Sequence, residues 1–434
     1  MNLKCRIFVF LTLSVVHNVV SSNDTPDFPP ILDADDINYF SEHHDIEGLH
    51  WALSNVFRRS QRNPNKEEVV NDSLPNILVS RGGGSTYTTA YKLKMDLEQM
   101  EYLVAKGSGQ TISIEKKQMF RETVIPTYKN VLSNIPPLES LERTAGLYAF
   151  KKEDYESGIE HVYNKALHHT DFDVLKNSKG EVLSVLSDSF DSDRIEQQYF
   201  GERKNGEQHD DNGTEDKISV PGIVVVDNIL SHEALQRIRQ LLLESNVFYQ
   251  TKMPKKFGTY AGAYIDDGLH DKILLQLAFE LNKALPRMMK NHSLKYMWAY
   301  KYDSDDSNGG INIHADQAAV NVNIWITPED ANLDKNSGGL VVFTAKPPPD
   351  WDFAAYNTDT ERVIEEILAP SGFQNVTIPH RENRAVIFDS ALFHHTDVYK
   401  FKQGYENKRI NLTILYGNMQ LGDTSVIKEV GDEL

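Results

Sequence analysis

The stretch His314-Ala315-Asp316-Gln317-Ala318-Ala319-Val320-Asn321-Val322-Asn323-Ile324-Trp325 sets two metal-ligating side chains, one residue apart, against the start of a strand. It follows the Gly-rich turn Asn308-Gly309-Gly310 and runs into an alternation of Val320, Val322 and Ile324 with Asn321 and Asn323. A period of two is the mark of a strand, and residues i and i+2 on extended backbone point the same way. His314 and Asp316 can therefore take adjacent positions on one face of a metal. Working outward, further short runs read as strands at 223–226, 298–302, 320–327, 340–343, 385–388 and 410–416, punctuated by turns such as Ser337-Gly338-Gly339. Many short strands with Gly-rich turns imply a sandwich or jelly roll.

A third ligand from a distant strand would complete a facial triad of two histidines and a carboxylate. That set suits non-haem Fe(II), which must bind oxygen and a chelating cosubstrate at once. The candidates are His394 and His395, just after the apolar run 385–393. Strand parity turns one of the two inward without saying which. Arg409 lies 409 − 394 = 15 residues further on and opens a strand in which Arg409, Asn411 and Thr413 share one face, opposite Ile410, Leu412 and Ile414. An arginine fork on the polar face would hold a carboxylate through two hydrogen bonds.

The His-x-Asp tripeptide alone decides nothing. It occurs at His43/Asp45, His169/Asp171, His209/Asp211, His314/Asp316 and His395/Asp397, and His380-x-Glu382 is a near match. The copy at 314 is chosen by its strand context. His232-Glu233 continues Ala234-Leu235-Gln236, so the zinc-protease helix motif is absent, and no Gly-x-Ser-x-Gly nucleophile elbow occurs.

The chain has 434 residues and carries 45 Lys+Arg against 63 Asp+Glu, a formal charge of −18. That length predicts two or three domains. The acidity excludes a phosphate-binding nucleic-acid surface, and 40% hydrophobic with 10% aromatic residues excludes wholesale disorder. Leu93, Leu97, Met100 and Val104 recur at helical spacing up to Gly107. A second helix is expected over 114–132 with a break near Pro126, and a further pair over 141–150 and 155–167. Residues 23–200 thus read as a mostly helical, tetratricopeptide-like domain without a clean repeat, suited to packing or protein contact. Arg81-Gly82-Gly83-Gly84-Ser85 reads as a hinge and 201–218 as a polar linker or insertion. Ser231 is placed to cap a helix running to about Leu243, with Leu235, Ile238 and Leu242 on one face.

Both ends carry address-like features. Lys4 and Arg6 flank a 10-residue apolar run at 7–16, and Val20-Ser21-Ser22 precedes Asn23, so 1–22 is expected to be a signal peptide; a buried first strand or an uncleaved anchor is the plainer alternative. The single cysteine, Cys5, falls inside it, which leaves the mature chain without thiol ligands or disulfides. No other stretch reaches the roughly 18 apolar residues of a membrane span. Residues 422–434 form an acidic tail ending Gly431-Asp432-Glu433-Leu434, which resembles the Lys-Asp-Glu-Leu retrieval signal. The expected place is the lumen of the endoplasmic reticulum. Glycosylation sequons begin at Asn23, Asn71, Asn212, Asn291, Asn375 and Asn411; Asn71 and Asn212 read as surface acceptors and Asn411 as barrel interior.

In order and context, His314-x-Asp316, Gly338-Gly339-Leu340, His394 and Arg409 resemble the Fe(II)/2-oxoglutarate-dependent dioxygenase superfamily, over roughly residues 219–420. The phrases Trp298-Ala299-Tyr300-Lys301-Tyr302-Asp303, Leu392-Phe393-His394 and Arg409-Ile410-Asn411-Leu412-Thr413 look closest to a little-characterised group with a helical, tetratricopeptide-like segment in front. The resemblance selects His394 as third ligand and implies an α+β chain: a double-stranded β-helix (jelly roll) catalytic domain over 219–421 behind an all-helical domain. It implies Fe(II) on His314, Asp316 and His394, 2-oxoglutarate on Arg409 with Thr413, Asn411, Tyr302 and Asn323 around it, and ascorbate as reductant. Members often carry Ser two residues after the arginine, where this chain has Asn411. Asn321 and Tyr300 share the polar and aromatic faces, for which cross-strand bonding and packing are the plainer readings. The implied activity is hydroxylation of a protein or peptide side chain or of a small molecule, without nucleic acid or a membrane span; Asp316 argues against halogenation. A silent jelly roll serving as a binding scaffold is the alternative.

Overall fold

The computed structural model describes residues 34–62, 86–107, 111–202, 220–252, 254–304 and 310–419. The expected signal peptide, hinge, nearly all of the linker, the acidic tail, and Asn23, Asn71 and Asn212 lie outside these residues. The chain opens with helices α1 (Ala34–Glu42), α2 (Ile46–Arg62), α3 (Ala90–Lys106), α4 (Ile114–Met119) and α5 (Ile125–Asn134). A ribbon of β1 (Tyr87–Thr88) and β2 (Tyr148–Ala149) and the short helices α6 (Lys152–Glu156) and α7 (Ser192–Tyr199) accompany them.

Local chemistry sets these elements. Thr89 caps α3 by accepting from the Lys92 amide, Leu93, Leu97 and Met100 are buried, and the Gly107 amide bonds Leu103 O at 3.1 Å past the last turn. Between α4 and α5 the helical path widens without a break into a π turn, Phe120–Val124, just ahead of Pro126, whose missing N–H and ring do not fit a regular i→i−4 ladder. The helix pair expected over 141–150 and 155–167 does not form. Those residues make 3₁₀ turns at Leu138–Thr144 and Ile159–His161 around β2 and α6, and 164–191 carries no helix. Ala145, Gly146 and Gly158 take left-handed backbone, which no continuous right-handed helix can pass through. The region before the large sheet is therefore helical as far as Asn134 and turn-rich beyond, rather than all-helical.

From residue 223 the chain builds a large antiparallel sheet. Its strands are β3 (Ile223–Asp227), β4 (Gln250–Thr251), β5 (Tyr260–Tyr264), β6 (Leu294–Tyr302), β7 (Val320–Trp325), β10 (Arg384–Asp389) and β12 (Ile410–Tyr416), in the order β3-β10-β7-β12-β6-β5-β4. A second sheet is β11-β8-β9, formed by β8 (Leu340–Phe343), β9 (Asn375–Ile378) and β11 (His394–Thr396). The chain is thus α+β around a seven-stranded antiparallel sheet. The back of that sheet, Val322, Ile324, Ile387, Leu412 and Ile414, shares one core with Ile238 and Leu242 of α8 (His232–Glu244) and Leu274 and Leu277 of the long helix Lys272–Ala284. Each such fully buried side chain is worth roughly 1.5–3 kcal/mol of transfer free energy. Leu49 and Leu53 of α2 and Met95 of α3 belong to that same core, while Leu93, Leu97, Phe120, Val124 and Val131 form a second, smaller one. On the front, Ile223, Trp325, Val386 and Phe388 pack with Leu340, Val342 and Ile378 of the second sheet. The register sets polar side chains in rows: Thr413 faces Asn323 and Trp298, and Asn411 faces Trp325 and Tyr300.

Candidate metal centre

His314 and His394 are joined before any metal is considered. The His314 amide bonds His394 O at 3.0 Å and the His394 amide bonds His314 O at 2.8 Å, an isolated antiparallel bridge. Directly opposed residues in such a pair project to one side, and the two rings lie 4.2 Å apart between centroids. Asp316, two residues on, reaches the same space. Its Oδ2 is 3.5 Å from His394 Nε2 and its Oδ1 3.9 Å from His314 Nε2. The ligand atoms all lie within 4.8 Å of one another, and among the described residues this is the one group of three or more His, Cys, Asp or Glu side chains so placed.

Neighbouring groups hold each ligand. His314 Nδ1 lies 2.7 Å from Asn312 O and His394 Nδ1 3.0 Å from Leu392 O. A carbonyl accepts only from N–H, so both rings carry the proton on Nδ1 and turn an Nε2 lone pair inward. Asn321 donates to Asp316 Oδ2 at 2.8 Å, and Ser390 Oγ donates to the Asp316 carbonyl at 3.2 Å. Asn357, on the short helix Phe353–Thr358, accepts from the Ala315 amide and donates to its carbonyl, both at 2.9 Å, which fixes the loop between the ligands. Burial, then the adjacent His394, pushes His314 down to about 4, so it is neutral at physiological pH. Burial works to raise the Asp316 carboxyl, yet the adjacent His394 and His314 rings and the bond from Asn321 hold it below its ordinary value. A divalent metal requires neutral imidazole and ionised carboxylate, and the shifts of His314 and Asp316 run that way. The His314 side chain keeps 23% exposure against 4% for Asp316, so the centre opens on the His314 side.

The other expected residues lie along the front of the large sheet. Thr413 Oγ1 accepts from Asn323 Nδ2 and from Asn411 Nδ2, each at 3.1 Å, leaving the buried Oδ1 of both asparagines without a partner. Asn323 thus makes the plain cross-strand bond and retains a spare acceptor. Arg409 is 2% exposed. Its Nε donates to Gly338 O at 2.7 Å and its Nη2 to Gly339 O at 3.0 Å, while Nη1 is buried with no partner. One edge of the fork is committed to the backbone and the other is left for an anion. The guanidinium lies 4.5 Å over the Tyr302 ring. His395 turns away: its ring packs on Phe343 at 5.7 Å and its Nδ1 meets Thr396 O.

Sequence reasoning missed Asn357 and Ser390, which carry no short-range signal, and passed over His380 and Trp325 beside Arg409. Of the remaining His-x-Asp copies, His169 pairs with Asp271 at 3.2 Å and His43 stacks on Tyr39. His209 and Asp211 lie outside the described residues.

No protein-family model matches the chain, and no curated protein matches it. Among solved structures it is similar to the non-haem α-ketoglutarate-dependent epimerase SnoN from nogalamycin biosynthesis, at 14% identity over 49% of this chain and 87% of that one, with a TM-score of 0.33. HygX from Streptomyces hygroscopicus, solved with nickel and 2-oxoglutarate, is 13% identical over 45% and 83%, with a TM-score of 0.32. A 2OG-Fe(II) oxygenase family oxidoreductase from Burkholderia pseudomallei is 12% identical over 46% and 87%, with a TM-score of 0.29. Likenesses this distant carry nothing about the reaction of this chain; its own side chains must.

Proposed function

We propose that the chain is an Fe(II)- and 2-oxoglutarate-dependent dioxygenase, a hydroxylase of the secretory pathway. In this reading residues 219–421 form a double-stranded β-helix behind a separate leading domain of 23–200. One observation carries the proposal: the His314–His394 bridge brings two Nε2 lone pairs to Asp316 while Arg409, on the same front face, keeps a buried Nη1 without a partner. The donor set of two imidazoles and one carboxylate fits non-haem Fe(II), and a buried, half-committed guanidinium fits a far carboxylate.

In this role His314, His394 and Asp316 hold the metal, and Asn321 keeps the Asp316 carboxylate aimed. Arg409 binds the distal carboxylate of the cosubstrate through Nη1, with Tyr302 beneath the guanidinium. Thr413, Asn323 and Asn411 line the path between the two ends. Iron with 2-oxoglutarate supplies oxygen activation, coupled to decarboxylation of the cosubstrate to succinate and carbon dioxide. Ascorbate is assigned as reductant. The retained carboxylate ligand favours hydroxylation over halogen transfer. The inner faces of β5 and β6 offer Tyr264, Tyr296, Trp298 and Tyr300 as an aromatic wall for a protein, peptide or small-molecule substrate. Among the described residues no helix is long and apolar enough to cross a membrane. Purified protein given Fe(II), ascorbate and 2-oxoglutarate should release succinate, and His314→Ala should abolish it. Activity that survives His314→Ala defeats the site. Metal-dependent 2-oxoglutarate binding without any turnover, across candidate substrates, would favour a binding module instead.

A further inference from the structure

Beyond Arg409 the side chains close into a collar. Tyr302 lies 4.5 Å and Tyr399 5.9 Å from the guanidinium, Tyr399 meets Phe401 at 6.3 Å, Phe401 meets His380 at 5.1 Å, and His380 meets Trp325 at 5.7 Å. Trp325 is 0% and His380 1% exposed. Inside this shell Trp325 Nε1 and both ring nitrogens of His380 have no hydrogen-bond partner, and neither does Arg409 Nη1. A single buried orphan costs about 1–3 kcal/mol, so four in one place mark a site built for a ligand rather than a packing accident.

The inventory is donor-rich. Indole N–H can only donate, guanidinium only donates, and a neutral imidazole brings one donor and one acceptor. Burial first, then the charges of Arg409 and Arg384, keeps His380 neutral. The ligand that satisfies such a set is an anion with several acceptor lone pairs. The backbone supports the same geometry. A Cβ on Gly339 would overlie the Ile378 carbonyl and come within 2.7 Å of the Trp325 ring and 3.0 Å of the His380 amide nitrogen, so glycine there lets the Arg409-binding carbonyls, Trp325 and His380 crowd together.

We infer that Trp325 and His380 donate to the same carboxylate that Arg409 binds. The inference rests on the reading of Arg409 as the cosubstrate anchor.

Calorimetry on the full chain loaded with redox-silent Mn(II) tests this without turnover. Wild type should bind 2-oxoglutarate. Trp325→Phe, which removes the N–H and keeps an aromatic ring, should weaken 2-oxoglutarate by about tenfold, the loss expected for a hydrogen bond to a charged group. His380→Phe should do the same, while His380→Gln, which keeps a donor, should remain near wild type. Mn(II) affinity should be unchanged in all three, separating the effect from misfolding. Binding by Trp325→Phe and His380→Phe within about twofold of wild type would assign the orphans to ordered water and overturn the inference alone. Wild-type protein that binds Mn(II) but not 2-oxoglutarate would overturn the Arg409 reading, and this inference with it.

Discussion

Replacing His394 with alanine should abolish the stabilisation that a divalent metal gives this chain, while replacing His395 should leave it intact. Metal at about 100 times its Kd adds about 2.7 kcal/mol to a folded state that alone binds it. A folded body of roughly 340 residues has an unfolding entropy of about 0.7 kcal/mol/K, at about 2.1 cal/mol/K per residue. The wild-type melting temperature should therefore rise by about 4 °C. Loss of one of three protein ligands should weaken binding by at least about 100-fold, the upper end of what losing a mere supporting hydrogen bond costs. At the same metal concentration that leaves about 0.4 kcal/mol, or under about 1 °C. His394 also packs edge-on against Phe388 at 4.9 Å, so the variant melts lower on its own account, and the shift must be measured against its own metal-free baseline. Differential scanning fluorimetry with and without Mn(II), or with Fe(II) under nitrogen, reads it. A full 4 °C shift in His394→Ala, or its loss in His395→Ala, would refute the orientation drawn from the His314–His394 bridge.

Three further outcomes follow from the geometry. Gly339→Ala forces Cβ onto the Ile378 carbonyl and moves a carbonyl that holds Arg409, so it should cost at least about 3 kcal/mol in urea unfolding and weaken 2-oxoglutarate; a loss under about 1 kcal/mol would contradict the close approach. Burial first, then neighbouring imidazoles, pushes His270 down to about 3. The unfolded chain protonates first, near pH 6.5, so stability is whole above that value and falls by about 1.4 kcal/mol per pH unit as pH drops toward 3; His270→Gln should flatten that slope between about pH 6 and 5, and an unchanged slope would remove His270 from the account. Asn411 is 3% exposed and donates to Thr413, so peptide mapping of protein made in a secretory host should find it unglycosylated, and a glycan there would sink the strand assignment.

What could be read beforehand was whatever depends on periodicity. The alternation in Val320–Trp325 and Ile410–Tyr416 showed strand and faces, because a period of two has one geometric meaning, while the Asn323–Thr413 row is a register between distant strands that periodicity does not carry. Parity could not choose between His394 and His395; the backbone bridge to His314 does, and it joins residues 80 apart in sequence (394 − 314 = 80). The strand Tyr260–Tyr264, Tyr-Ala-Gly-Ala-Tyr, has too few bulky side chains to announce itself, and β4 has two residues. Residues 141–167 looked helical because apolar side chains recurred, but left-handed backbone at Ala145, Gly146 and Gly158 is a property of φ that hydrophobic spacing does not carry. His380 was passed over because its near match to a ligand motif was the wrong signal. Its importance lies in two nitrogens that find nothing to bond.

Buried charge connects the helical segment to the site. Lys301 alternates along β6 with Tyr300 and Tyr302, so while the Tyr302 ring lies under the arginine the Lys301 amine points to the other side of the sheet. There it is 0% exposed, donates to Leu242 O at 3.0 Å and Tyr405 Oη at 2.6 Å, and its carbonyl accepts from Tyr91 Oη of α3 at 2.7 Å. On α3 itself Lys92 pairs with Asp96, both buried. Burial pushes Lys301 well below its ordinary value, and a polar group this deep is tolerable only with its hydrogen bonds kept. The helix therefore holds β6 in place, and β6 holds Tyr302 beneath Arg409. With Leu49, Leu53 and Met95 also inside the core behind the large sheet, the inner faces of α2 and α3 are committed to supporting it. Any partner gripped by the helical segment must use its outer surface, where Trp51, Ile114 and Met119 stand exposed.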